Sequence, residues 1–308
     1  MSATPIDLSR LPAPDIVETI DLEVLLTERK AKLVSLYPAE QQADVAAALT
    51  LESEPMNALL QENAEREILL RQRVNDAARA VMLAYATKGN LEQLAALFDI
   101  KRLTVIEPDP ANDIDGVYET DTDLRARTQL APQGFSVAGP EGAYISHARN
   151  ADGRVLDASA TSPAPCEVVV TVLSREGDGT ADDSLIANVS AALKADNVRP
   201  LTDFVTVRGA TIKPYAIRAT LVFFAGPDRS VVLAEARKRV AAYATEMRKL
   251  GMAITLDGIF AAARQPGVQK VILYSPLADI PVSKLEAAYC TAIELLDGGV
   301  YAQGQINA

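Results

Sequence analysis

Residues 134–155 read GFSVAGPEGAYISHARNADGRV, which places four glycines, one proline and the only histidine of the chain in one short span. Such a span is either a phosphate-cradling loop beside an active site or a rigid corner. A phosphate loop of the Gly-x-x-x-x-Gly-Lys type needs a lysine that reaches the outer phosphates, and no glycine here is followed by lysine. A serine or cysteine nucleophile would need a base within hydrogen-bond reach, and His147 is the only imidazole. Ser136 and Cys166 are its nearest candidate partners in sequence. The stretch PEGAYISHARNA reads as a helix with Pro140 at its start, where the missing N–H costs nothing. On a helix, a lone histidine is ordinarily satisfied by local hydrogen bonds. A soluble enzyme or small-ligand-binding protein with a site near His147 is therefore the alternative reading, and a corner set by Gly139 and Pro140 is the main one.

Downstream, NADG (150–153) turns the chain into a strand at 154–161, and SPAP joins it to a second strand at 166–174. A helix over 184–195 follows, capped by Asp182 or Asp183, with Leu185, Val189, Ala192 and Leu193 inward. Strands are expected at 203–207 and 215–224. A helix over 230–250, stopped by Gly251 at the position after its last turn, is succeeded by a helix at 256–264. VQKVILYS (268–275) and residues 288–295 complete the strands. Helices on one face of small sheets give an α+β fold.

Upstream, the chain reads as helical. Asp15–Leu36 carries Ile16, Ile20, Val24, Leu25 and Leu33 at helical spacing, until Tyr37-Pro38 interrupts it. A longer helix opens near Ser53 with Pro55 in its first turn and runs to Lys88-Gly89. On it Leu70, Val74, Ala77, Val81 and Tyr85 form one apolar stripe. Packing within its own domain is the usual fate of such a stripe, and a partner helix from another chain is the other. A short helix at 91–98 and the turn-rich EPDPANDIDG (107–116) close this region. The expected division is a helical region at 1–106, a central α/β domain at 107–213 and a C-terminal α+β domain at 214–308.

At 308 residues, 49% hydrophobic and 23% charged, the chain has the composition of a folded protein and length for a large core. Its net charge of −11 opposes the attraction that drives non-specific nucleic-acid binding, so nucleic acid is not an expected partner. RKRV (237–240) reads as a solvated helix face. No secretory signal is visible, and no apolar run approaches the ~18 residues of a membrane span, so a soluble, cytosolic chain without membrane insertion is expected. Cys166 and Cys290 stand in no metal spacing and read as reduced, half-buried thiols. EGDGTADDS (176–184) lacks the third glycine of a dinucleotide fingerprint. Asp113 and Asp115 fit two positions of a calcium loop, but Ala111 and Thr122 fall where acids are required. No pair of carboxylates is singled out by spacing. The sequence thus predicts no catalytic residue, no metal and no cofactor.

LRARTQLAPQGFSVAGPEGAYISHARNADGRVLDASATSPAPCEVVVTVLSREGDG, followed by NVRPLTDFVTVRGA and ATLVFFAGPD, resembles the baseplate J-like family of contractile phage tails. LPAPDIVETIDLE and RQRVNDAARAVMLAYATKGNLEQLAALFDIKR are similar to the same family, so the resemblance runs from about Leu11 to the last strand. It implies a structural wedge subunit of the tail baseplate without enzymatic activity. It also implies copies that pair as dimers within each wedge, contacts to a second wedge protein and to other baseplate proteins such as the sheath initiator, and a six-fold ring around the tube. That ring changes diameter as the particle fires and couples the rearrangement to sheath contraction. The implied location is the tail of a virion or of a tail-like particle such as an R-type bacteriocin, after assembly in the host cytoplasm.

Overall fold

The computed structural model describes residues 18–300 other than 52 and 227, together with residues 8, 14 and 16. The chain divides into two compact units, one within Ile6–Asp99 and one within Ile100–Ala308. Helices come first and mixed layers after, an α+β arrangement.

In the first unit, α1 (Leu22–Ser35) starts seven residues later than the periodicity suggests. Asp21 fixes that start, because its carboxylate accepts the amides of Glu23 and Val24. Then come α2 (Gln42–Ala48), α3 (Pro55–Ala80) and α4 (Lys88–Ala96). α3 ends eight residues before Lys88. Met82 N–H bonds to Arg79 O and Tyr85 N–H to Met82 O, so three-residue turns replace the helix although the apolar spacing continues. α1 and α3 pack together. Ala64 and Asn75, eleven residues and three turns apart, are the buried residues of α3. Asn75 both donates to Glu18 O and accepts from Glu18 N. Arg71 reaches Glu18 and Glu67, and Arg29 also meets Glu67; these two guanidiniums hold the Glu67 carboxyl below its ordinary range.

The second unit opens with β1 (Thr104–Ile106) antiparallel to β2 (Val117–Tyr118). An unexpected helix, α5 (Asp121–Gly134), follows; Thr120 caps it by accepting the Asp123 amide, and Pro132 sits in its last turn. α6 (Glu141–Ala151) begins after Pro140, as read from sequence. β3 (Val155–Thr161) and β4 (Glu167–Ser174) form the expected hairpin. α7 (Asp183–Leu193), capped by Asp182, crosses to β5 (Phe204–Gly209), which runs parallel to β4. Leu130, Tyr144, Ala148, Val170, Val172, Leu185 and Val189 share one core, so α5, α6 and α7 cover the same face of the β3-β4-β5 sheet.

β6 (Thr211–Phe223) starts one residue after β5 and is central in a second sheet of order β7-β6-β8. β7 (Val268–Ser275) pairs with it antiparallel and β8 (Glu286–Val300) parallel. α8 (Arg229–Glu246) and α9 (Leu256–Ala263) cover it through a core that includes Ile217, Leu221, Val240, Ile259 and Leu295. α8 ends four residues earlier than expected. Gly251, at φ 75°, therefore closes the turn after the helix rather than the helix itself.

One polar cluster ties the start of this unit together. Glu119 and Arg127 are both buried and form an ion pair. Glu119 also accepts the Leu103 amide at 3.1 Å, and Arg127 donates to Asn150 Oδ1 at 2.8 Å and to Lys101 O at 3.2 Å. Burial pushes the Glu119 carboxyl up and the Arg127 guanidinium down, each towards its neutral form, while each partner's charge opposes the shift. Removing one member strands the other in a dry site, so Arg127→Met is expected to cost about 3–5 kcal/mol in urea unfolding. Arg127→Lys, which keeps the charge, is expected to lose less; equal stability of all three proteins would show that the pair is not needed.

Candidate functional site

The corner at residues 134–155 is built on close approach. Gly139 adopts φ 71°, and a Cβ there would lie 2.8 Å from Asp203 Oδ2 and 2.9 Å from Pro200 Cγ. Tyr144 Oη donates to the same Asp203 oxygen at 2.7 Å. Burial, with this bond second, raises the Tyr144 pKa above its ordinary value, so the phenol keeps its proton. Two stretches far apart in sequence, 134–144 and 200–203, are thus clasped. Gly153 is buried for a different reason: a Cβ there would sit 2.1 Å from the Thr104 carbonyl oxygen. Gly139 and Gly153 let neighbouring segments of chain approach closely.

His147 braces the same corner. Its Nε2 lies 3.1 Å from Gly134 O, and since a carbonyl only accepts, that nitrogen carries the proton. Burial pushes its pKa down, which leaves a neutral ring at pH 7 that ties α6 to the last turn of α5. Among the described residues, neither Ser136 nor Cys166 is hydrogen-bonded to it. Cys166 is exposed rather than half-buried, because it ends the SPAP turn at φ 65° and its carbonyl accepts the Phe204 amide. Cys290 is half-buried as expected.

The remaining motifs resolve into local structure. Asp109 caps a single turn at Pro110–Asn112, and Asp113 takes a left-handed φ of 54° beyond it. In EGDGTADDS, Asp178 accepts the Thr180 amide and Asp182 caps α7. Hydrogen bonds from these backbone amides come first among the causes that lower both carboxyls. In RKRV, Arg237 donates to Leu295 O, Arg239 bonds to Glu235 and Val240 is buried. Among the described residues no three acids, histidines or cysteines gather as a metal would require, and no helix is long and apolar enough to cross a membrane.

Large apolar side chains are also left open to contact. On α3, Leu59 lies on the same side as Leu70 and Val74, away from Ala64 and Asn75. Leu70 is 64% and Val74 61% exposed, and Val81 just beyond the helix is 70% exposed. Of the two fates open to the stripe, its members on α3 face outward, with the small Ala64 and the polar Asn75 on the inner face. A second exposed group lies on the clasped loops and at the start of β5, where Val137, Phe204 and Leu201 stand out, the last 96% exposed. Periodicity located the first group but not its direction, and no local pattern marks the second.

Two substitutions test the corner. Gly139→Val combines a left-handed backbone with a collision against Pro200 and Asp203, and is expected to lower stability by about 2 kcal/mol or more and to reduce soluble yield. His147→Ala removes one brace and is expected to fold, with a loss of about 1 kcal/mol in thermal or urea unfolding. A Gly139→Val protein as stable as its parent would remove the clasp from the account.

A family model described as the baseplate J-like N-terminal domain matches residues 52–109, and one described as the baseplate J-like central domain matches residues 136–209. The chain is 50% identical over 301 residues to baseplate protein J of Escherichia phage P2, which covers 96% of this chain and 98% of that one. Among solved structures, the cryo-EM structure of the anti-feeding prophage baseplate is similar with a TM-score of 0.38 at 15% identity, over 59% of this chain and 43% of that chain. With both family models in chain order and half of the residues shared along nearly its whole length, the chain belongs to the baseplate J-like family.

Proposed function

We propose that this chain is a structural subunit of a contractile-tail baseplate, located in the tail of a virion or a tail-like particle. The observation that carries this reading is the 50% identity to baseplate protein J of Escherichia phage P2 over 98% of that protein's length. The exposed apolar row of α3 supports it, since an apolar helix face in water is stabilised by a partner.

In finer terms, the subunit pairs with a second copy and with a second wedge protein, meets other baseplate proteins such as the sheath initiator, and closes with its neighbours into a six-fold ring. Rearrangement of that ring is coupled to sheath contraction. Three parts divide the work: residues 1–106 make helical partner contacts, 107–213 form the central body, and 214–308 make ring contacts. Its role is mechanical rather than catalytic, and assembly takes place in the host cytoplasm.

Light scattering on size-exclusion fractions tests this, with the protein alone and co-expressed with the neighbouring tail gene product. A defined heteromer holding more than one copy of this chain is expected, and rings by electron microscopy of assembled particles. A monomer that ignores its neighbour would overturn the reading. Replacing Leu70 and Val74 together by Glu is expected to abolish the heteromer while changing the stability of the isolated chain by less than about 0.5 kcal/mol, because both side chains are already in water.

A further inference from the structure

The second sheet is joined to the first by one residue and one narrow seam. β5 ends at Gly209 and β6 begins at Thr211, so Ala210 alone separates them. On the central sheet, Ala158, Ala160, Val170 and Val172 point into the core beneath α5, α6 and α7. Asp157, Ser159 and Thr171 alternate with them, and Ser159 pairs directly with Thr171, so these three share the opposite face. That face meets the C-terminal lobe.

The contacts across it are mostly polar. Leu250 N–H donates to Asp157 Oδ2 at 3.0 Å, and Ser159 Oγ donates to Lys284 O. At the rim, Lys284 Nζ reaches Glu141 at 2.6 Å, and Arg248 donates to Gly177 O at 2.8 Å while lying over the Tyr289 ring. Among the described residues, the buried apolar packing there consists of Leu173, Ala210 and Ala287, with Leu156, Ile212 and Leu250 partly covered. Each flanking core holds fourteen buried residues. Thr171 Oγ1 is fully buried at the seam and has no protein partner.

We propose that this seam is a releasable joint, in which the lobe at 211–300 opens about Ala210 and the Asp157 carboxylate is the latch. Interfaces between parts of one chain that are small and polar yield before their flanking cores do, because local opening exposes little apolar surface. Asp157 suits a latch, since its acceptor oxygen is the one side-chain group that holds the Leu250 amide. Burial pushes its carboxyl up against the pull of Arg149 and Lys249, so the charge sits where water is scarce.

Amide hydrogen exchange on the full chain tests the joint. In the wild type, the amide of Leu250, which is bonded across the seam, is expected to exchange faster than the ladder amides pairing Ala158 with Val172 and Leu221 with Val271. Asp157→Ala is expected to speed the Leu250 amide a further tenfold or about that, leaving both ladders unchanged. Asp157→Asn retains an acceptor for Leu250 and is expected to exchange as the wild type does. Equal protection of seam and ladders in the wild type would overturn the joint, and this holds even if Asp157→Ala does not fold. A uniform acceleration, or none, in Asp157→Ala would overturn the role of the carboxylate.

Discussion

The packing of the second unit depends on keeping two opposite charges out of water in one place. Taking a carboxylate and a guanidinium out of water costs several kcal/mol each, and the site offsets that only by giving every polar atom a partner. Glu119 and Arg127 find theirs on three separate pieces of chain: the backbone at Lys101 and Leu103, their own segment around α5, and Asn150 at the end of α6. The cluster therefore sets how α5 and α6 lie relative to β1. Once that relation is set, Gly134 can receive His147 and Gly139 can pass between Pro200 and Asp203. Such a pair adds little net stability compared with apolar residues of the same size. Its effect is to select one arrangement of the surrounding elements over the alternatives, each of which would leave a charge unpaired.

The acidic side chains of the chain have a similar occupation. Asp21, Asp182 and Asp228 each accept amides at a helix start, where the backbone leaves donors without partners. Glu286 accepts the Ser283 amide and pairs with Lys213, and these bonds hold its carboxyl down to about 2. Polar groups that might have gathered in a cleft are dispersed over turns and caps. Among the apolar groups left outside are those on α3 and on the loops around residues 137 and 201.

How much of this the sequence disclosed depended on how local each cause was. The β3–β4 hairpin, α7 with its aspartate cap and the strand at 268–275 were legible, because alternation, capping and turn residues act within a few positions. α5 was not. Its Thr-x-x-Asp start is a genuine cap signal, but Pro132 and a polar first turn weakened the helical pattern around it. The helix read from the spacing overruns α3, because Val81 and Tyr85 continue that spacing into turns. The stripe on α3 was visible and its direction was not, since a period fixes which residues share a side and leaves open which side is covered. The ion pair of Glu119 and Arg127 is eight residues apart and completed by residues sixteen and more away, so no window along the chain could display it. Asp157 looked like any strand residue until a second lobe lay against it.

A three-stranded sheet has two faces, and here only one of them is apolar. Had Asp157, Ser159 and Thr171 been valines, the face towards the C-terminal lobe would have merged with Leu173 and Ala287 into a single core running through both sheets. Polar residues on that face keep two cores of similar size closed, each beneath its own helices. The cost is a buried hydroxyl on Thr171 and a carboxylate on Asp157 at a site that disfavours charge. The benefit is that each lobe has most of its cohesion within itself. Load applied to one lobe is then carried to the other through Ala210, a few hydrogen bonds and the small cluster of Leu173, Ala210 and Ala287 rather than through one large shared interior.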